Sequence, residues 1–494
     1  MDSHAGMAAK PGRKPAFNPY LPGYEYIPDG EPYVFGDRVY VFGSHDESGG
    51  TKYCPGDYVC WSAPVDDLGN WRKEGTIYRK EQDPANRDGS HALFAPDVAV
   101  GPDGRYYLYY GLDFTGKISV AVCDTPAGRY EYLDTVHVRE EDGTRRDLTE
   151  GIPFDPAVLV DNDGRIFLYY GFCPHFPVPW VDRSRISGCM VVELNPDMVT
   201  VKEPPKKVLP CFLDAAGTGF ENHAYFEAPS IRKINGLYYL VYASQQVHEL
   251  CYATSRHPDR DFKFRGVIIS NGDIGYRGRK PEDRLAYTAN NHGGLVKIRD
   301  QWYIFYHRHT QGTQFSRQGC AEPVNLLEDG TIPQVEMTSC GLNGGPLPAN
   351  GVYPAHIACN LVGPNGACMI EFRSNLKATE PYIDEEECGS EEHERNQYIA
   401  NITSGTRIGF KYFAFDGGLR SISLRLRGRA DGTISLRADD FAGEVIGEGK
   451  IFLDSDQWTD VVIPSGGIEG THGLFIVYTG DGYLDLDSFA FLNE

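Results

Sequence analysis

The stretch from Phe226 to Ser244, FEAPSIRKINGLYYLVYAS, decides how the chain reads. A carboxylate, Glu227, stands ahead of a proline, a short apolar run, an Asn235-Gly236 turn and an aromatic second strand. Asn-Gly favours a two-residue hairpin because both central positions must accept positive φ. The same plan occurs four more times: PDGEPYVFGDRVYVFGSH from Pro28, APDVAVGPDGRYYLYYG from Ala95, FDPAVLVDNDGRIFLYYG from Phe154 and NHGGLVKIRDQWYIFYHR from Asn291. Turn positions fall at Gly36, Gly104, Gly164, Gly236 and Asp300, with gaps of 68, 60, 72 and 64 residues. A unit of that length holds about four strands, the period of a propeller blade rather than of a helical solenoid. Five units predict a five-bladed β-propeller over residues 18–340, behind an N-terminal tail, residues 1–17.

A propeller sets the first strand of every blade against its axis. The residues heading those strands, Asp29, Asp97, Asp155, Glu227 and His292, are therefore expected to meet at one mouth of the channel. Four carboxylates crowded together raise one another's pKa, and a fold keeps such a group for a reason. Glycoside hydrolysis supplies one: a protonated carboxyl to protonate the leaving oxygen, and an ionised one to activate water or act as nucleophile. Taken singly, an Asp before Pro is a turn or cap residue, and a histidine such as His292 is a satisfied core residue. It is the joint placement that points to chemistry.

The bulk numbers agree with that direction. A chain of 494 residues is too long for one small core, and 31 Tyr, 25 Phe and 56 Gly favour strands and turns. The net charge of −22 repels nucleic acid and anionic membrane but not a neutral sugar. No apolar run approaches the ~18 residues of a membrane span, and MDSHAGMAAKPGRK at the start lacks the apolar core of a signal peptide. Twelve cysteines show no framework, and CPGDYVC (Cys54, Cys60) lacks the CxxC spacing of zinc sites. Reduced thiols in a cytoplasmic protein are expected.

Over residues 18 to 330 the motifs resemble those of the family 43 glycoside hydrolases, inverting enzymes on a five-bladed propeller. The resemblance implies that Asp29 is the general base, in NPYLPGYEYIPDGEP, where the family usually reads Asp-Pro-Ser; Glu31 is the alternative. It implies Asp155, in FDPAVLVDNDG, as the modulator of the acid's pKa, and Glu227 as the general acid. His292 would face the axis beside a calcium ion or water, and Arg317, in FSRQGCAEPV, would help hold the terminal sugar. Asp97, in FAPDVAV, is given a structural or sugar-binding role. Trp61, Trp71, Trp180 and Trp302 are candidates for shaping the pocket, with the loop CPHFPVPWVDRS at its rim.

After SCGLNGGPLPANG (Ser339 to Gly351) the pattern changes. Residues 341–351 read as a linker. Residues 352–494, with the acidic stretch DEEECGSEEHER (Asp384 to Arg395) and the short runs RIGFKYFAF, SISLRLRG, TISLRAD, GLFIVYTG and YLDLDSFAF, read as a β-sandwich of jelly-roll type. This part resembles a family 6 carbohydrate-binding module. The resemblance implies a structural calcium with Asp487 as a ligand, while the lone Trp458 in an ordinary strand leaves a packing role and glycan targeting both open.

The expectation is thus an all-β inverting exo-glycosidase that releases xylose, arabinofuranose or both from pentose-containing oligosaccharides. An endo-arabinanase and a non-catalytic sugar-binding propeller are the alternatives.

Overall fold

The computed structural model describes residues 14–113, 115–370, 375–388 and 395–493. Most of the expected N-terminal tail (residues 1–13) and residues 389–394 of the acidic stretch lie outside the described residues.

Among the described residues everything regular is β or short 3-10 turn, and no helix is long and apolar enough to cross a membrane. The hairpins fall where the repeat predicts them. At the Phe226–Ser244 stretch, Tyr225–Ile234 pairs antiparallel with Leu237–Ser244 across Asn235 and Gly236, whose φ angles are 50° and 79°. Each hairpin grows into a sheet by adding its following strands in chain order. Glu31–Phe35, Arg38–Phe42, Tyr58–Pro64 and Arg72–Tyr78 make the first; Leu93–Val100, Tyr106–Leu112, Ile118–Cys123 and Glu131–Thr135 the second. The third contains Ala157–Val160, Ile166–Tyr170, Gly188–Leu194 and Lys206–Pro210, with a three-strand side branch. The fourth runs from Tyr225–Ile234 to Lys263–Ser270.

The fifth sheet stops at three strands, Leu295–Ile298, Gln301–His309 and Arg317–Val324. The expected five blades are thus four sheets of four or more strands plus a shorter one. Its outer edge is occupied by the start of the chain: Tyr20 N–H donates to Gly319 O, and Asn18 Nδ2 donates to Ala321 O at 3.0 Å.

The propeller arrangement follows from where the apolar residues go. Aromatic runs such as YYLYYG bury both faces, so every sheet needs a neighbour on each side. Tyr107 and Tyr109 of the second sheet share a core cluster with Val158 and Leu168 of the third. Phe167 and Tyr169 share one with Tyr238 and Tyr242 of the fourth, and Tyr239 with Ile304 and Tyr306 of the fifth. Phe305 packs with Val39, Val41 and Trp61 of the first, and Phe42 and Tyr58 with Leu93 and Tyr110 of the second. The ring closes. Each fully buried aromatic side chain contributes about 1.5–3 kcal/mol, and Tyr109 and Tyr242 place their hydroxyls on acceptors, Met198 O and His223 O.

The C-terminal region is a β-rich domain around its own core, with Phe410, Phe413, Phe489 and Phe491 at its centre. The expected short strands merge here. SISLRLRG and TISLRAD are one strand, Leu419–Ala438; GLFIVYTG and YLDLDSFAF are one strand, Glu469–Asn493. A register shift at Leu426/Gly428 lets the strand bend without ending. A Cβ at Gly428 would sit 2.4 Å from Tyr483 O, so only glycine fits that crossing. The domain docks on the propeller through polar contacts: Lys411 reaches Asp273 and Glu336 at 3.0 and 2.7 Å, and Tyr26 donates to Glu385 at 2.6 Å.

Candidate active site

Asp29, Asp155 and Glu227 come from the segments of the first, third and fourth sheets; Asp29 and Asp155 face His292, and Glu227 lies within electrostatic reach of Asp29, Asp155 and Arg317. His292 Nδ1 lies 3.7 Å from Asp155 Oδ2 and 4.0 Å from Asp29 Oδ1. Asp29, Asp155 and His292 are 4%, 3% and 5% exposed, while Glu227 keeps an open face. The backbone at this place is unusual. Asp29 (φ 57°) and Asp155 (φ 47°) sit in the left-handed region, and Ala228 (φ 64°) does so next to Glu227. The strand of Glu227 bulges, with register shifts on both sides of that residue. Non-glycine residues hold such angles only where surrounding structure enforces them, and they cluster at functional sites. The bulge turns the Glu227 side chain out of the pleat towards the others.

Arg317 organises the centre. Its guanidinium donates to Asp29 Oδ1 at 2.9 Å and, in a two-pronged contact, to both oxygens of Asp46 at 2.7 and 3.0 Å. Tyr53 covers it, with the guanidinium 4.8 Å from the ring centroid. Asp46 is held in turn by the Cys54 N–H at 3.0 Å. His307, fully buried, accepts from Asp29 N–H at Nδ1 and therefore carries its proton on Nε2, where it donates to Asn290 O at 2.9 Å. These contacts fix Asp29 in position and supply positive charge to it. Asp155 accepts from Ala228 N–H at 3.2 Å, which ties it to the strand of Glu227. No described residue donates a hydrogen bond to the Glu227 carboxyl.

Burial, and then the charge of Asp29, push the Glu227 carboxyl up to about 8, with Arg317 pulling the other way. Asp155 is also raised well above the usual carboxylate range, by burial first and by Glu227 and Asp29 next. The two form a coupled pair that retains at least one proton at neutral pH. His292 and His307 are shifted down by burial, so both are neutral there. A carboxyl that keeps its proton can donate it to a leaving group.

An apolar wall stands beside this cluster. Phe154 and Phe226, the neighbours of Asp155 and Glu227, both pack on Phe172, at 5.0 and 5.5 Å between centroids. Trp180 stacks on Phe172 at 5.5 Å. Of the four tryptophans singled out from the sequence, Trp180 packs on Phe154, the neighbour of Asp155; Trp61, Trp71 and Trp302 pack against cores between sheets.

Asp97 lies elsewhere. Its oxygens accept from Tyr33 OH (2.6 Å), Val98 N–H (2.7 Å) and Val158 N–H (2.6 Å), and the nearby charges are Glu31 and Arg232. Arg232 in turn donates to Glu31 Oε2 and to Leu295 O, both at 2.8 Å. This network stitches all five sheets across the channel, so the sugar-binding half of the Asp97 expectation gives way to the structural half. Glu31, paired with Arg232, belongs to this network.

The residues expected to bind calcium do not suit it. Calcium takes six to eight oxygen ligands. His292 offers nitrogen, and the carboxylates facing it are engaged by Arg317 and Ala228 N–H. Asp487 accepts from Asn396 and from Ser488 at 2.8 Å, and Arg425 lies 3.5 Å from it. Sequence reasoning missed Asp46, Tyr53 and His307. Asp46 and Tyr53 stand after the second aromatic strand, in the SHDESGGTKY run, outside the repeated heads that drew attention.

A propeller that gathers carboxyls from three sheets, one of them proton-retaining and another held by a guanidinium, defines a glycoside hydrolase. More narrowly, the chain belongs to the glycosyl hydrolases family 43, whose model matches residues 18–332. It is 49% identical over 490 residues, covering 98% of this chain and all of the other, to the xylosidase/arabinosidase of Thermoclostridium stercorarium. It is 26% identical to the arabinoxylan arabinofuranohydrolase of Bacillus subtilis, over 93% of this chain and 88% of that one. In fold it is similar to a β-xylosidase/α-arabinofuranosidase from a compost microbial metagenome, solved with xylotriose in a calcium-free form. That likeness has a TM-score of 0.50 at 24% identity, covering 67% of this chain and 98% of that one.

Proposed function

We propose that the protein is an inverting exo-glycosidase that releases terminal xylose, arabinofuranose or both from xylan- or arabinan-derived oligosaccharides. The observation that carries this reading is the gathering of Asp29, Asp155 and Glu227, with Asp29 and Asp155 facing His292, Glu227 kept protonated by burial and by Asp29, and Asp29 held by Arg317. In it, a pentose lies with its anomeric carbon between Asp29 and Glu227. Asp29 takes a proton from a water on one face of the ring, and that water attacks the anomeric carbon. Glu227 gives its proton to the departing glycosidic oxygen on the other face. The bond to the leaving group breaks as the bond to water forms, so the configuration inverts. Asp155 orients the strand of Glu227, while burial and the nearby Asp29 keep the Glu227 proton on. Arg317 is a positioning residue for Asp29, and its guanidinium borders the sugar site. The Phe154–Phe172–Trp180 wall offers an apolar face for the pentose ring.

Several finer points belong to the same proposal. The three-stranded sheet, completed by the Asn18–Tyr20 segment, counts as the fifth blade. The C-terminal domain, residues 352–494, is a module related to the carbohydrate-binding sandwiches that acts by docking. Its Trp458 carries Arg427 on its face at 4.2 Å and donates to Glu386 at 2.8 Å, so it offers no free platform for a sugar. The scatter of twelve cysteines without a disulfide-type framework supports a reducing, cytoplasmic location.

The test is a panel of nitrophenyl β-D-xylopyranoside, α-L-arabinofuranoside and β-D-galactopyranoside, with Glu227→Ala as control. Turnover of the first, the second or both, abolished for xylo-oligosaccharides in the variant, is expected. Sugar binding without turnover of any pentoside would return the protein to the non-catalytic alternative, and cleavage of polymer alone to the endo-acting one.

A further inference from the structure

Outside the carboxylate cluster, the described residues contain one group of three metal-type donors held together: His223, Glu249 and Cys251. His223 ends the segment that leads into the strand of Glu227; Glu249 and Cys251 are alternate residues of Glu249–Ser255 and so point to one face of it. His223 Nδ1 lies 2.6 Å from Glu249 Oε1 and 3.8 Å from Cys251 Sγ, and Cys251 Sγ lies 3.3 Å from Glu249 Oε1. We propose that His223, Glu249 and Cys251 form a binding site for a zinc-class divalent cation, with the fourth position open to water.

The distances carry the inference. A tetrahedral zinc with bonds of about 2.0–2.3 Å keeps its donors roughly 3.3–3.6 Å apart. The two separations that involve Cys251 are already close to that range. Only the His223–Glu249 contact must open, by about 0.7 Å, as a cation replaces the hydrogen bond between them.

The surroundings hold the donors for such an ion. The His223 ring stacks on Phe264 at 4.8 Å with an interplanar angle of 8°, and its carbonyl accepts from Tyr242 OH at 2.8 Å. Ser244 Oγ donates to Glu249 Oε1. One carboxylate oxygen thus receives His223, Ser244 and Cys251 together, a crowding that a cation relieves. These are the outer-sphere contacts that orient metal ligands. Glu249 and Cys251 are buried, while the His223 side chain is 31% exposed, which gives an ion a route in and leaves room for water.

Charge and donor type select the ion. On binding, the Cys251 thiol releases its proton to solvent and His223 binds through Nδ1 with its proton on Nε2. A thiolate, a carboxylate and a neutral imidazole then balance the divalent charge. Sulfur and nitrogen donors suit zinc or cobalt and disfavour calcium and magnesium. The site is independent of the glycosidase reading, since none of its donors belongs to the Asp29–Glu227 cluster.

The experiment uses the full chain with the exposed Cys368 and Cys388 changed to Ser, so that surface thiols do not compete. Metal-free protein is titrated with cobalt(II), followed by absorbance and by thermal unfolding. The expected result is a thiolate-to-cobalt charge-transfer band that saturates at one equivalent and is bleached by zinc, with a rise in melting temperature. Cys251→Ser removes the band, and His223→Asn, at a partly exposed position, weakens binding at least tenfold. A titration with no charge-transfer band, or one unchanged in both variants, overturns the site. Should Cys251→Ser fold poorly, His223→Asn alone decides by the same readout.

Discussion

Replacing Glu227 with Gln removes one titrating proton and leaves the shape nearly unchanged. The carboxyl is raised from 4.5 to about 8 in the fold, chiefly by burial and next by Asp29. A raised carboxyl stabilises the native state below its unfolded value, and that contribution is lost as pH climbs through the folded value. The wild type should therefore weaken relative to Glu227→Gln across pH 4.5 to about 8. The slope is about 1.4 kcal/mol per pH unit, so the variant gains on the order of 3 kcal/mol at pH 7 and 5 kcal/mol at the upper end. Parallel urea unfolding at pH 5, 6, 7 and 8 measures the difference. In the same preparation, hydrolysis of xylobiose should fall by about 10²–10⁴, with a smaller loss on an aryl xyloside whose leaving group needs no proton. A stability difference that stays flat with pH would mean that Glu227 is ionised at neutral pH. The assignment of the acid would then fail, whatever the activity did.

Three further outcomes follow from the same contacts. Arg317→Met leaves Asp29 and Asp46 buried without a cation; stability should drop by roughly 3–5 kcal/mol and activity should vanish, read by calorimetry and kcat/KM. Asp29→Ala should lose about 10²–10⁴ in rate on good and poor leaving groups alike, and added azide should restore turnover as a glycosyl azide of inverted configuration. Asp97→Asn should cost about 1–3 kcal/mol in stability, through its bonds to Tyr33, Val98 and Val158. It should leave the pH dependence of kcat/KM unchanged, the outcome that separates a channel brace from a sugar ligand.

The hairpins were legible because their signal is local: a turn dipeptide, a period and an aromatic strand. The heads were legible because the repeat gives them equivalent positions. What happens to each head is not local. Asp97 and Asp155 follow alternation patterns of the same kind, yet one meets Tyr33 and the other His292. Only the side chains of neighbouring sheets decide that. Asp46 was invisible for the same reason, as its partner Arg317 is 271 residues away. The short fifth sheet depends on the far end of the chain, Asn18 and Tyr20, coming round to its edge. In the C-terminal domain, glycines read as strand ends are bends, because Gly428 and Gly432 let two strands pass in close contact while hydrogen bonding continues.

The most direct test of the chemistry is to watch which anomer appears first. Proton NMR during the first turnover of an aryl β-D-xyloside resolves the two xylose anomers before they equilibrate. With water activated by Asp29 on the face opposite Glu227, α-xylose must accumulate first and the β form follow by mutarotation. β-Xylose as the initial product would require a covalent intermediate and would contradict the roles given to both residues.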